Sequence, residues 1–207
     1  MNAALLQTPR AAPAPRLAPH QIGHAATLAL HDELVLAPKP GLVSLLDNGS
    51  HHDMDADTFM RSLFTLRHYF AQIAALGEAQ APFGALERCG IAAEARMLAA
   101  TGGVNTHRGA IFTLGLLCAA AGAAGMQRSG REPLSPEALR AALQRHWGAA
   151  LQARSGRIST LPGGIAARRH GLRSASQEAA LGFPVLFGTA VPALAAALRR
   201  GLSPRPG

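Results

Sequence analysis

Apolar residues recur every three to four positions through most of this chain, and the breaks between periodic runs are marked by proline or paired glycine. The first run predicts a helix over 21–36, with Ile22, Ala26, Ala29, Glu33 and Ala37 at helical spacing. Pro38 ends it, because the residue before a proline is pushed out of the α region. The next stretch, PKPGLVSLLDNGSHHDMDA over 38–56, has no period. Its prolines and the Asn48-Gly49 turn signal make it a loop long enough to need a reason. A second helix is predicted over 58–76, capped by Asp55 or Asp57, with Phe59, Leu63, Leu66, Phe70 and Ile73 inward. A third covers 84–100 and stops before Gly102-Gly103.

TGGVNTHRGAIF then opens an apolar helix of about 107–125, with Asn105 or Thr106 placed to cap it and His107 and Arg108 in its first turn. Ser135-Pro136-Glu137 begins another helix, running to about 153 with Leu139, Leu143, Trp147 and Leu151 inward. Residues 154–173 read as a loop rich in Gly and Arg, Ser174 to Gln177 as a capping box opening a short helix, and 184–200 as one or two closing helices. No internal repeat is visible.

Composition agrees with the periodicity. Hydrophobic residues make up 48% of 207, with Ala and Leu dominant and aromatic and β-branched residues scarce, which favours helix over sheet. The expectation is an all-α protein: a single compact multi-helix domain around the buried apolar helix at about 107–125. Residues 1–20 read as a disordered Pro/Ala/Arg tail, and 21–207 as the helical catalytic domain. The tail lacks the uninterrupted apolar core of an export signal. The charge-free run 109–125 is 17 residues long, short of the roughly 20 a membrane span needs, so it reads as a core helix. Cys89 and Cys118 read as small buried hydrophobes in a reducing cytoplasm.

Charge is uneven. Residues 1–100 carry seven basic and nine acidic side chains, whereas 101–207 carry thirteen arginines and three glutamates. The front half suits a metal and the back half an anion. In the loop GSHHDMD, His51, Asp53 and Asp55 fall on alternate residues, so an extended backbone points them the same way. Two carboxylates converging there suit Mg²⁺; equally, Asp53, Asp55 and Asp57 compete to cap the following helix. In TGGVNTHRG, the helix N-terminus with His107 and Arg108 suits phosphate, since a cation at that end is unfavourable without an anion. Lys39 is the only lysine beside nineteen arginines. A compact ammonium held between Pro38 and Pro40 fits a polyphosphate pocket that a planar guanidinium does not. Glu33 and Glu94 lie on apolar stretches and should each face a partner or a metal, unless they sit on solvent faces. His24, His31 and His68 have no metal spacing and read as surface or core histidines.

The ordered blocks ALHDELVLAPKPGLV, GSHHDMDADTFMRSLFTLRHYF, EARMLAATGGVNTHRGAIFTLGLL and QEAALGFPVLF span about 28–187 and resemble the triphosphoribosyl-dephospho-coenzyme A synthase family. PKPGLV, SHxDMD and GGVNTHRG in this order are specific. The resemblance implies an all-helical enzyme joining ATP to 3′-dephospho-CoA with release of adenine. The product is the prosthetic-group precursor for the acyl carrier subunit of citrate lyase or malonate decarboxylase, so enzymes of that acyl carrier pathway are implied partners. On this reading Lys39, His107 and Arg108 grip the triphosphate, with Mg²⁺ on Asp53 and Asp55. His51, Asn105, Thr106 and Arg173 contact the nucleotide, and Glu33, Glu94, Asp53 or Asp55 supplies the carboxylate that stabilises an oxocarbenium ion or takes a proton.

Two departures from the family pattern stand out. The family shows a His-Gly pair and an Arg near 160–176, where this chain has Pro162-Gly163 and Ser176-Gln177-Glu178, although Arg173 and Glu178 remain. The family also continues into further helices, so the domain is expected to be incomplete at its C-terminus, with apolar faces exposed and weak activity in isolation. A basic helical module binding RNA or another polyanion through the arginines at 154–173 is a different class of reading, but that segment lacks the interleaved aromatics of a stacking surface. A Mg²⁺-dependent nucleoside-phosphate hydrolase, with water in place of the ribosyl hydroxyl, is a third.

Overall fold

The computed structural model describes residues 17–126 and 134–202, and among these it contains helices and no strand. The chain runs α1 (Pro19–Val35), α2 (Ala56–Leu66), α3 (Tyr69–Glu78), α4 (Phe83–Ala100), α5 (Arg108–Gly125), α6 (Pro136–Ser155), α7 (Pro162–Arg169) and α8 (Ala175–Ala180). A short π-helical turn over Leu186–Ala190 then leads into α9 (Val191–Arg199). Most of the predicted tail, residues 1–16, lies outside the described residues. Helix α1 starts at Pro19, two residues before the predicted boundary, with Gln21 reaching back to accept the Ala18 N–H at 2.8 Å.

Helix α5 is the centre of the molecule, with the other helices packed around it as the apolar run predicts. Ten of its residues are buried, and α1, α3, α4, α6 and α8 all contact it, α3 most extensively. The α3–α5 approach depends on glycine. A Cβ on Gly122 would lie 2.1 Å from the Ala74 carbonyl oxygen, and one on Gly77 would lie 2.0 Å from that of Ala119. The backbones therefore touch where side chains would hold them apart. Tyr69 crosses the same seam and donates to the Ile111 carbonyl at 2.7 Å. Its ring is buried and its hydroxyl has a partner, as a buried tyrosine requires. Burial pushes its ionisation above the ordinary tyrosine range. By length and composition α5 could cross a membrane, but here it is the core helix. Cys118 is buried on it and Cys89 half-buried on α4, both as free thiols.

Two predicted boundaries are corrected. The single helix expected over 58–76 is two helices, α2 and α3, broken at Arg67 and His68. The apolar period continues through the break because both helices bury the same sequence face, so the pattern carries no sign of it. The Arg67 guanidinium donates to the Phe64 carbonyl and closes the end of α2. The Gly/Arg-rich segment 154–173 is not all loop; it contains α7, started by Pro162 at the first helical position. Gly164 is needed there, since a Cβ would come within 2.4 Å of Ser159. The predicted caps at Asp55, Ser135 and Ser174 are all present, accepting from Thr58, Ala138 and Gln177 N–H groups.

Candidate functional site

Lys39 folds back under the end of α1. Its ammonium donates to the Glu33 carboxylate at 2.8 Å and to the Glu33 backbone carbonyl at 2.5 Å, and only 7% of the side chain remains exposed. A cation on the unpaired carbonyls of a helix C-terminus is favourable, and a point charge can serve a carbonyl and a carboxylate at once. The choice of lysine at this position therefore has a local cause in the fold itself.

The loop after Lys39 closes on itself through two glycines. Gly49 has φ +58°, and a Cβ there would collide with the Gly41 carbonyl carbon at 2.4 Å, while Ser50 N–H donates to Gly41 O at 3.2 Å. The PKPG and NGSHHD motifs are thus one packed unit. Inside it, the chain bends at His52 and Asp53, so the alternation expected for His51, Asp53 and Asp55 is not maintained. Asp55 is extended and caps α2; its Oδ1 accepts Thr58 N–H at 2.8 Å and Thr58 Oγ1–H at 2.6 Å, which lowers its pKa below the usual aspartate value. Asp53 is largely exposed and lies 3.8 Å from His51 Nδ1. Among the described residues no group of three or more His, Cys, Asp or Glu is gathered as a metal cluster.

The third part is the turn before α5. Asn105 Oδ1 accepts the Arg108 N–H at 3.1 Å, the capping role expected of it. Arg108 Nε donates to Glu94 Oε1 at 2.7 Å, so the cation at the helix N-terminus is offset by a carboxylate from α4. His107 is only 5% exposed, packed edge-on against Phe59 with ring centroids 5.0 Å apart. Its Nδ1 lies 2.6 Å from Ser62 Oγ, and Thr106 Oγ1 donates to the same Ser62 oxygen at 2.7 Å. Burial drives the imidazole pKa down to about 4, opposed by the negative charge of Glu33. At neutral pH His107 is therefore a neutral ring, and the positive charge anticipated for it is not there.

Glu33 ties two of these parts together: it holds Lys39 and is the charge acting on His107. Helix α1, which carries Glu33, packs on both α2 and α5, the helices that carry Ser62 and follow His107. Glu33 and Glu94 each have the cationic partner the sequence called for. Arg173 is engaged elsewhere, donating to Glu178 Oε1 at 2.6 Å beside α8, and no hydrogen bond or ion pair joins it to this group among the described residues. Sequence reasoning missed Ser62 and Phe59 as neighbours of His107. The available signal was Ser62 itself, a polar residue on the inward stripe of α2 with Phe59, Leu63 and Leu66. The outer face of α2, with Arg61, Phe64 and Ala100 of α4 among its lining, forms a separate shallow cleft.

Residues 19–206 match the family model described as CitG, ATP:dephospho-CoA triphosphoribosyl transferase. Among curated proteins, the chain is 39% identical over 192 residues to the 2-(5''-triphosphoribosyl)-3'-dephosphocoenzyme-A synthase of Pectobacterium atrosepticum, covering 88% of this chain and 61% of that one. It is 37% identical over 195 residues to the "Probable 2-(5''-triphosphoribosyl)-3'-dephosphocoenzyme-A synthase" of Vibrio cholerae serotype O1, covering 89% and 61%. A protein of the same description from Acinetobacter calcoaceticus is 37% identical over 167 residues, covering 81% and 56%. The chain thus spans 56 to 61% of the length of these relatives. No solved structure matches. With the family model matched over residues 19–206 and relatives 37 to 39% identical over most of this chain, the chain belongs to the ATP:dephospho-CoA triphosphoribosyl transferase family.

Proposed function

We propose that this site transfers the triphosphoribosyl group of ATP to 3′-dephospho-CoA, releasing adenine. The observation that carries the reading is the position of Glu33, a carboxylate at 2.8 Å from the Lys39 ammonium at the end of α1. The 2′-hydroxyl of dephospho-CoA attacks the ribose carbon that bears adenine. The new C–O bond forms as the C–N bond breaks, adenine leaves with the bonding pair, and the hydroxyl proton passes to Glu33 and from there through water to adenine, which returns Glu33 to the carboxylate. The same carboxylate stabilises the oxocarbenium character that develops at the ribose carbon. Lys39 shares its charge between Glu33 and the retained triphosphate. Arg108, held by Glu94, contributes a fixed guanidinium beside the N-terminus of α5.

The oxygen donors of the SHHDMD loop fit Mg²⁺. Asp53 is exposed, and Asp55 commits its Oδ1 to Thr58, leaving its second oxygen for a hard cation. Asp53 and Asp55 would hold the ion, which would neutralise part of the polyphosphate charge when bound. A cytoplasmic setting suits the two free thiols. The product would serve as the prosthetic-group precursor for the acyl carrier of citrate lyase or malonate decarboxylase.

The test is incubation of the purified chain with ATP, Mg²⁺ and dephospho-CoA, followed by chromatography for adenine and mass spectrometry of the coenzyme. Adenine together with a triphosphoribosylated coenzyme is the expected result. Free triphosphoribose instead would make the chain a hydrolase, and no adenine would reject activity.

A further inference from the structure

Ser62 has no role in the chemistry so far, yet it is fully buried and makes the shortest contact to the His107 ring, 2.6 Å from Oγ to Nδ1. With Nδ1 engaged, the other ring nitrogen has no hydrogen-bond partner among the described residues. It is not sealed in: among the described residues, Arg154 Nε is the only side-chain nitrogen or oxygen cut off from solvent without a hydrogen bond. His107 Nε2 therefore reaches the edge of an otherwise buried ring.

Proton counting distinguishes two arrangements. A serine hydroxyl has one proton to give. If Thr106 donates to Ser62 at 2.7 Å, the Ser62 proton goes to Nδ1, and the imidazole carries its own proton on Nε2. In the reverse arrangement Nδ1–H donates to Ser62, Ser62 to Thr106, and Thr106 to the Met97 sulfur at 3.2 Å, a weak acceptor. Hydrogen-bond strength favours the first arrangement.

We propose that Ser62 is a positioning residue: backed by Thr106, it donates to Nδ1 of His107 and fixes the tautomer with the proton on Nε2, a neutral donor set for an anionic oxygen of the bound nucleotide. A neutral donor suits this position because Lys39 and Arg108 already bring positive charge, and an imidazolium would have to be created in a buried setting. The proposal rests on ATP being the substrate. The hydrogen-bond relay can still be measured apart from turnover.

The experiment is long-range ¹H–¹⁵N correlation of the histidine rings in the intact chain at pH 7.5, with the His107 signals identified by their loss in His107→Gln. The expected result is an unprotonated Nδ1 and a protonated Nε2, whose proton resonance moves downfield on saturation with MgATP. In Ser62→Ala the two tautomers should mix, and with about half of the rings still presenting Nε2–H the KM for ATP should rise about twofold while kcat changes little. A protonated Nδ1 in the parent, or an Nε2–H resonance indifferent to MgATP, overturns the proposal without need of any further variant. An unchanged tautomer and KM in Ser62→Ala removes Ser62 from it. The parent spectrum is readable whether or not adenine is released, so failure of the transfer reaction and failure of the relay are told apart.

Discussion

Helices α5 and α9 are both rich in alanine and leucine, and they end up in opposite circumstances. In α5 the small residues sit where another backbone arrives, with Gly122 against Ala74 and Gly115 beneath the Tyr69 hydroxyl. Nothing in α9 is buried; Leu194 and Leu198 on the helix and Leu202 just beyond it face outward, more than half exposed, and the helix packs chiefly on the π-helical turn before it. Apolar composition is shared, so it does not explain the difference. What separates them is glycine at positions 115 and 122, seven apart and hence on one face, which lets α3 approach until dispersion contacts form along the whole seam.

Filling the seam should therefore have the largest effect. Gly122→Val places branched carbon where a Cβ alone would be 2.1 Å from the Ala74 oxygen, so α3 and α5 must separate. The expected cost is on the order of 3 kcal/mol, at the upper end for overpacking, read as a drop in the urea midpoint by circular dichroism. A loss below about 1 kcal/mol would show that the seam is loose and that glycine there is not what distinguishes α5 from α9.

The next effect is at the site end of the same helix and depends on pH. His107 titrates at about 4 in the folded chain because its ring is buried, and at about 6.5 when unfolded. A depressed pKa means that the unfolded chain takes up the proton first. The stability associated with the neutral ring is thus complete above pH 6.5 and lost as pH falls toward 4, by up to about 3 kcal/mol. Urea midpoints of the parent should fall between pH 7 and pH 4.5 more steeply than those of His107→Gln. Parallel slopes would place the ring in solvent and remove the contrast between the buried His107 ring before α5 and the open C-terminal segment.

These cases also show what could be read from the sequence. The helices, the caps at Asp55, Ser135 and Ser174 and the core position of α5 follow from period and capping chemistry, which are local, and the motifs named the family. The break between α2 and α3 was hidden because Leu66 and Phe70 keep the spacing across it. Site geometry was less legible. Glu33 and Glu94 could be predicted to need partners, but that Lys39 and Arg108 supply them depends on how the chain bends after α1 and turns at Gly102-Gly103 between α4 and α5, which no spacing rule encodes. Lys39 was distinctive in composition, and its position on the Glu33 carbonyl gives that choice a structural reason beside the proposed phosphate one. Whether His107 carries a charge could not be read from the sequence, because its burial against Phe59 and Ser62 is a tertiary fact.

The smallest effect belongs to α9. Leu198 is 51% exposed, so Leu198→Ser removes little area already withdrawn from water, and the change in stability should stay within about 0.5 kcal/mol. The measurement should be made at two protein concentrations a hundredfold apart. An invariant midpoint near that of the parent confirms that the leucines of α9 contribute nothing comparable to the glycine-fitted seam. A parent whose midpoint rises with concentration, and a variant whose midpoint does not, would show instead that a second copy covers this face in solution, and that the two helices differ only in whether their apolar partner lies in the same chain.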